Sequence, residues 1–228
     1  MNNTHILIQA RLSSSRFPRK MLEKVGDFSM LEYIYRRCKV SNKANSVAIV
    51  TSVDSTDDEL AFLCLKQGIP FFRGDLYNVL DRYITAAEYF GVKNIIRVCG
   101  DSPFVDVDLI DKMIQFALDE QLDYCVITNC INGFMSEFIK TKTLKEIAQK
   151  EDLGDDDIEH VTKYIRDRVE FFKCSFIDAN LRPKELENYT LTVDYPVDIE
   201  IARKIYSRLK GFNFKSKEII KILQEIKG

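Results

Sequence analysis

Val47-Ala48-Ile49-Val50-Thr51, a helical stretch from Thr56 to Gln67, then Pro70-Phe71-Phe72-Arg73: this strand, helix and strand decide the class of fold. Thr56 and Glu59 have the spacing of a capping box at the helix start. Gly68 stands at its end, where a left-handed residue is wanted. Working outward, the pattern repeats. His5–Ala10 reads as a buried strand, and Ser29–Val40 as a helix opened by a second capping box, Ser29 with Glu32. Tyr77–Phe90 is an amphipathic helix closed by Gly91, Asn94–Cys99 a strand, Val107–Leu118 a helix and Tyr124–Thr128 a strand. Short strands alternating with longer helices predict βαβ units, hence an α/β protein with a mostly parallel sheet. Ligands of such sheets bind beyond the carboxyl ends of the strands, which directs attention to the residues after Ala10, Thr51, Arg73 and Cys99.

The second half is less regular. Phe134–Ile139, Val169–Ile177 and Leu191–Val193 read as strands, and Thr141–Gln149, Ile158–Arg168, Pro196–Leu209 and Ser216–Ile226 as helices. The acidic run from Glu151 to Glu159 reads as a solvated loop leading into a helix N-terminus, where carboxylates suit the dipole. With no internal repeat and no Pro/Ser-rich linker, the expected organisation is one domain over 1–228 with an inserted subregion near 129–188.

Composition narrows the function classes. The chain has 228 residues, 46% of them hydrophobic and 30% charged, enough apolar material for one large core and too much for a disordered or low-complexity chain. Lys and Arg number 33 against 35 Asp and Glu, a formal net charge of −2 that argues against a nucleic-acid binder working through a global basic field. Met1–His5 lacks a basic leader, the apolar stretch that follows stops at Arg11, and no window approaches a membrane span, so a cytoplasmic protein without membrane insertion is expected. The six Cys are scattered without a CxxC pair and the only His are His5 and His160, a composition of reduced thiols and no zinc site.

Three stretches carry chemistry. The first is the loop after the first strand, Ala10-Arg11-Leu12-Ser13-Ser14-Ser15-Arg16-Phe17-Pro18-Arg19-Lys20, with four cations and three hydroxyls in eleven residues. Like charges packed so closely repel, and a polyanion relieves them. Arg offers forked donors to phosphate oxygens, Lys a mobile point charge, and Ser hydroxyls with backbone N–H groups complete a cradle. The loop is neither a P-loop nor a dinucleotide fingerprint. The second is Arg97-Val98-Cys99-Gly100-Asp101-Ser102-Pro103, which puts a carboxylate where the fourth strand runs out, suited to a Mg²⁺ that also touches phosphate. The third is Leu191-Thr192-Val193-Asp194-Tyr195-Pro196-Val197-Asp198, in which Asp194 and Asp198 alternatively read as a helix N-cap and a first-turn acid. Asp106-Val107-Asp108 spells the D-x-D of many glycosyltransferases, but its place at the start of a helix favours capping.

Together these stretches resemble the spore-coat-polysaccharide type of cytidylyltransferase, related to the CMP-Kdo and CMP-acylneuraminate synthetases. The opening pattern Q/P-A-R-x-x-S-T/S-R-x-P-x-K runs from Gln9 to Lys20. R-G-x-x-x-x-V-L-x-R-Y is met by Arg73-Gly74 and Val79-Leu80-Asp81-Arg82-Tyr83, and I/V-R-x-x-G-D-x-P by Arg97, Gly100, Asp101 and Pro103. E-H-V-T is Glu159–Thr162, and L-T-V-D-x-P-x-D is Leu191–Asp198. The resemblance implies a three-layer, Rossmann-like nucleotide-diphospho-sugar transferase fold. It also implies transfer of CMP from CTP to an acidic, Kdo- or nonulosonate-like sugar in surface polysaccharide synthesis, with release of pyrophosphate. Arg11, Ser14, Arg16 and Lys20 would hold the triphosphate, with Ala10, Ser13 and Ser15 completing the nucleotide cradle and Asp81, Arg82 and Arg97 near it. Asp101 and Asp194 would bind Mg²⁺; Arg11, Arg16, Lys20 and Asp101 would carry catalysis; Glu137, Glu159 and His160 would face the acceptor. A homodimer is implied as well. The loop departs from the family in having no Gly between Ala10 and Lys20, where Gly often stands at the positions of Ser13 and Arg19. Arg19 reads equally as an added phosphate contact and as a solvent-facing residue. Enzyme alternatives are a nucleotidyltransferase for a sugar 1-phosphate or a non-sugar acceptor, and a glycosyltransferase of the same broad fold. A non-catalytic module would have lost the carboxylates or loop cations, and all are present.

Overall fold

The computed structural model describes residues 3–227, so Met1 and Asn2, which open the stretch read for a targeting signal, lie outside the described residues. In chain order the principal strands are β1 (Thr4–Gln9), β4 (Ser46–Ser52), β5 (Phe71–Gly74), β6 (Asn94–Cys99), β7 (Tyr124–Cys130), β8 (Glu137–Lys140) and β9 (Cys174–Leu181), while β2 (Lys24–Val25) and β3 (Phe28–Ser29) form a small hairpin. The helices are α1 (Met30–Cys38), α2 (Asp58–Gln67), α3 (Val79–Tyr89), α4 (Val107–Asp119), α5 (Thr141–Ile147), α6 (Asp155–Glu159), α7 (Lys163–Arg166), α8 (Pro196–Tyr206) and α9 (Ser216–Lys227). Seven strands form one sheet in the order β5-β4-β1-β6-β8-β7-β9, parallel except for β8, which runs antiparallel to both β6 and β7. The region 129–188 contributes β8 and β9 to this same sheet.

The core follows from the two-residue period of the strands. Ile6, Ile8, Ile49 and Ile96 point to one face, against apolar residues of α1, α2, α4, α8 and α9. Leu7, Ala48, Val50 and Ile95 point to the other, against α3, α5 and the 161–165 segment. Both faces are therefore covered, the three-layer arrangement that a parallel sheet requires.

Several local signals act as the sequence predicts. Ser29 and Glu32 form the capping box of α1: the Glu32 N–H donates to Ser29 Oγ at 3.3 Å and the Ser29 N–H to Glu32 Oε2 at 2.9 Å. Gly68 ends α2 at φ 63°. Asp106 caps α4 by accepting from the Leu109 N–H at 3.0 Å.

Others do not. The capping box expected of Thr56 and Glu59 does not form, because Asp54 caps a 3-10 turn over 55–57 and α2 begins at Asp58. Asp57 acts over a longer range. Its buried carboxylate accepts from the Leu12 N–H at 2.7 Å, and from the N–H and hydroxyl of Ser52 at 3.2 and 2.5 Å. Phe134 lies in a turn, its N–H donating to Ile131 O, and the strand begins only at Glu137. Val169–Phe171 forms a 3-10 turn, with β9 starting at Cys174 after the Asp123 N–H has donated to Lys173 O. The single helix expected over 158–168 is two, α6 and α7. Asp157 at the third position of α6 accepts from the Gly154 N–H and starts that helix early, and His160, at φ −104° and ψ 55°, breaks it. Leu191–Val193 forms no strand. Its N–H groups donate to Asn132 O and Asp101 O, so it lies along the rim of the sheet.

Asp57 fastens the start of the first loop to β4, which identifies the fold's most informative stability test. Asp57→Ala strands the Leu12 and Ser52 donors in a buried place, at ~1–3 kcal/mol per abandoned group. The variant is expected to lose ~2–4 kcal/mol, with Asp57→Asn losing less because its amide oxygen still accepts. Urea unfolding measures both.

Candidate active site

The site begins at the carboxyl ends of β1 and β6, adjacent parallel strands. The Gly100 N–H donates to Gln9 O at 2.8 Å, tying the two strand exits together. A Cβ on Gly100 would lie 2.7 Å from that carbonyl and 3.0 Å from Met21 Sδ, so only glycine permits the approach. Asp101 follows at once. Its own carbonyl accepts the Val193 N–H at 2.8 Å, and this one backbone bond sets Asp194 beside Asp101. Asp194 is not the helix N-cap. Asp198 instead turns back to accept from the Asp194 and Tyr195 N–H groups, at 2.8 and 2.7 Å, and starts α8.

The first loop closes over these residues. The Ala10 N–H donates to Val50 O and the Arg19 N–H to Leu12 O at 2.9 Å. Arg19 takes φ 63°, the left-handed conformation that glycine adopts without cost, and its guanidinium pairs with Glu59 at 2.5 Å on the outside of the loop. Of its two readings, the structure shows the surface one.

The result is a cavity of about 290 Å³. From the loop it is lined by Ala10, Arg11, Ser14, Ser15, Arg16 and Lys20, from the short turn that closes the loop by Met21, from the strand ends by Gln9, Cys99, Gly100 and Asp101, and from the segment before α8 by Asp194. Most residues expected of a nucleotide cradle thus come together. Ser13 is exposed and lies outside the cavity lining. Asp81, an exposed first-turn acid of α3, also lies outside it. Arg82 is wholly buried, its stem packed on Gly74, where a Cβ would come within 2.9 Å of Arg82 Cγ. Its guanidinium nitrogens have no hydrogen-bond partner, and burial pulls its pKa down.

A second cavity of about 280 Å³ adjoins the first and shares Arg16, Cys99, Asp101 and Asp194 with it. Arg97 belongs here rather than in the first cavity. Asn132, Ser136, Glu137, Arg166 and Thr192 also line it, and of these only Glu137 and Thr192, the latter within the Leu191–Asp198 stretch, stand out in the sequence. Both oxygens of Glu137 are already engaged: Oε2 by Arg97 Nη1 at 2.7 Å, and Oε1 by Tyr124 Oη at 2.5 Å and Thr162 Oγ1 at 2.9 Å. Arg97 Nη2 further donates to Gln9 Oε1 at 3.2 Å. Burial pushes the Glu137 pKa up, but the Arg97 charge and the donated hydrogen bonds outweigh it and hold the carboxyl below its ordinary range. Burial likewise opposes the Arg97 charge, and its anionic surroundings hold the guanidinium firmly protonated. Glu137 therefore orients Arg97 and has no lone carboxylate oxygen to offer a sugar. Glu159 and His160 are exposed at the end of α6 and line neither cavity.

A phosphate-sized cationic basket and a second, polar cavity meet at two carboxylates beyond the ends of parallel strands, and this defines a nucleotidyltransferase. The chain belongs to the cytidylyltransferase family, whose model matches residues 5–226, and is a CTP-dependent nucleotidyltransferase. It is 36% identical to the spore coat polysaccharide biosynthesis protein SpsF of Bacillus subtilis, over 91% of this chain and 88% of that protein. Its fold matches a cytidylyltransferase from Leptospira borgpetersenii with a TM-score of 0.90 at 25% identity, covering 99% of this chain and 95% of the other. It also matches a CMP:2-keto-3-deoxy-manno-octonic acid synthetase solved with CTP, with a TM-score of 0.68 at 15% identity, covering 91% and 99%. A 3-deoxy-manno-octulosonate cytidylyltransferase of Solibacter usitatus is 30% identical over 47% of this chain and 42% of its own length.

The Arg97–Glu137 pair is testable by stability. Glu137→Leu leaves a buried, uncompensated guanidinium and is expected to cost ~3–5 kcal/mol; adding Arg97→Met removes that charge and should recover much of the loss, a double-mutant cycle read by urea unfolding. Because the folded pKa of Glu137 lies below the unfolded value of about 4.3, its contribution is complete above that pH and lost as the pH falls through the folded value. The Glu137→Leu variant should accordingly show a shallower acid destabilisation than the parent.

Proposed function

We propose that this enzyme transfers CMP from CTP to a carboxylate-bearing sugar, releasing pyrophosphate, in the synthesis of a surface polysaccharide. The observation that carries this reading is the shared wall of the two cavities: Asp101 and Asp194 stand between a cationic basket and a polar chamber. The charges in the chamber support an acidic acceptor. Arg16 pairs with Asp194 at 2.5 Å and Arg97 with Glu137 at 2.7 Å, whereas the exposed guanidinium of Arg166 has no hydrogen bond or ion pair among the described residues. With Asp101 facing Lys20 from the neighbouring cavity, Arg166 is the chamber's one cation without a partner among the described residues, and its forked donors suit a carboxylate better than a phosphate dianion. The polysaccharide context rests on the likeness to the spore coat protein.

In this reaction a sugar hydroxyl attacks the α-phosphorus in line, the bond to the β-phosphate oxygen breaks, and the hydroxyl proton is released. Such a step needs alignment and charge neutralisation more than covalent catalysis. Arg11, Arg16 and Lys20 take up the charge that builds on the leaving pyrophosphate. The hydroxyls of Ser14 and Ser15 face the same cavity and add donors. Arg166 and Arg97 anchor the acceptor in the second chamber.

Asp101 and Asp194 fit a divalent ion, since both carboxylates turn toward the one cation of Lys20, from 3.7 and 3.5 Å. No group of three or more His, Cys, Asp or Glu side chains suited to a metal gathers among the described residues, so phosphate and water would complete the shell, as is usual for Mg²⁺. When bound there, Mg²⁺ supplies Lewis-acid polarisation of a phosphoryl oxygen.

A pyrophosphate-release assay crossing the four NTPs with acidic sugars and sugar 1-phosphates tests the reading. Turnover is expected with CTP and an acidic sugar, and turnover confined to a sugar 1-phosphate would overturn it. Asp101→Asn should lower kcat by roughly 10²–10³ while leaving the circular dichroism unchanged. Arg166→Ala should raise the acceptor KM by about thirtyfold, the equivalent of ~2 kcal/mol of charge-assisted hydrogen bonding, with the KM for CTP unaltered.

A further inference from the structure

Lys20 holds an unusual position for a phosphate-binding residue. It is buried, with 8% of its surface exposed, and its ammonium donates to Val193 O at 2.7 Å. The same ammonium stands 3.5 Å from Asp194 Oδ1 and 3.7 Å from Asp101 Oδ2. Within the basket, then, Lys20 faces the two carboxylates suited to the metal. Arg16 is the other cation here, on Asp194 Oδ1 at 2.5 Å, and no further charged side chain of the described residues forms an ion pair with either carboxylate.

Two carboxylates that converge on one point repel each other, and at a partly buried place they need a counter-ion. The chain supplies its own. A divalent ion seeking the same oxygens meets a positive charge already there, and cations crowded onto shared oxygens repel. Lys20 is the cation that stands by both carboxylates, whereas Arg16 reaches Asp194 alone, so for a metal to bridge the two Lys20 Nζ has to leave, and it needs a new anion at the end of its flexible stem. The cavity it borders is the one lined by the cations and hydroxyls of the first loop, groups that suit phosphate oxygens.

We propose that Lys20 is the resident counter-ion of the metal site and a positioning residue that couples metal entry to nucleotide entry. Phosphate draws the ammonium off Asp101 and Asp194, the divalent ion takes its place, and the ammonium returns as pyrophosphate departs. Metal therefore binds weakly to the nucleotide-free enzyme and tightly only with CTP. This rests on the reading that Asp101 and Asp194 hold the metal, and it adds an order of events that the reading does not contain. The carboxylates stay in place when Lys20 moves, because Ser102 Oγ donates to Asp101 Oδ1 at 3.2 Å and Thr192 Oγ1 to Asp194 Oδ2 at 3.1 Å.

The test is Mn²⁺ binding to nucleotide-free protein, followed by electron paramagnetic resonance and by the rise in melting temperature with Mn²⁺ alone. Lys20→Met should bind Mn²⁺ about tenfold or more tightly than the wild type, within the usual span of coupling between sites. By reciprocity, the enhancement of CTP binding by Mn²⁺ should shrink by the same factor. Lys20→Gln, whose amide still donates to a carbonyl, is the second variant if the methionine form does not fold. Equal Mn²⁺ affinity in the wild type and in a folded Lys20 variant overturns the proposal. The underlying metal reading fails separately, if Asp101→Asn leaves the Mn²⁺ enhancement of CTP binding in the wild type unchanged.

Discussion

The 2.8 Å hydrogen bond from the Val193 N–H to the Asp101 carbonyl is the contact on which the site depends. Asp101 lies two residues beyond the end of the central strand β6, whereas Asp194 arrives ninety-odd residues later on a segment that belongs to no strand. Nothing in the sheet forces the two carboxylates together. The rim segment does so by borrowing main-chain acceptors, Asn132 O for Leu191 and Asp101 O for Val193. Backbone bonds of this kind are indifferent to side-chain charge, which allows two like charges to be brought close without the scaffold giving way. Their repulsion is then balanced locally, by Lys20 and Arg16 from the opposite wall.

A second device recurs at the edges of the site. A buried carboxylate gathers donors from several elements and fixes their relative positions. Asp57 holds the first loop to β4 through Leu12 and Ser52. Glu137 links β8 to β6 through Arg97, to β7 through Tyr124 and to the turn before α7 through Thr162. An ionised buried acid is tolerable only when its lone pairs are filled, and that requirement makes each of these junctions specific in geometry. Thr162 stands four residues before Arg166, so the bond that satisfies Glu137 also sets the short helix that presents Arg166 to the second cavity.

What could be read from the sequence divides along the same line. The α/β class, the Ser29–Glu32 box, the stop at Gly68 and the place of Asp101 all follow from chemistry within a few residues, and all four are found. Loop residues that line the first cavity are legible for the same reason, since a cluster of cations and hydroxyls after a strand is a local signal. The misread elements are those whose partners are distant. The expected Thr56–Glu59 cap gives way to a turn capped by Asp54, within which Asp57 accepts from a loop 45 positions away. Leu191–Val193 has strand composition but pairs with the rim, and the helix expected over 158–168 breaks at His160, two residues before Thr162 bonds to Glu137. Arg166, Ser136 and Asn132 carry no local signature at all, and only the packing of β8 and α7 against the strand ends brings them to one chamber.

Near-neutrality takes on a definite meaning in this light. A net charge of −2 over the whole chain hides an opposition resolved to single atoms, with a basic loop on one wall and two carboxylates on the other. The opposition is closed on itself: Arg16 and Lys20 direct their charge to Asp194 and Asp101. A ligand that carries both signs would satisfy each wall with the charge it lacks, cation to carboxylate and phosphate to loop. A long nucleic acid brings only one sign and would leave the carboxylates facing phosphate. The pairing across the cavity thus favours a compact ligand of mixed charge over a long polyanion.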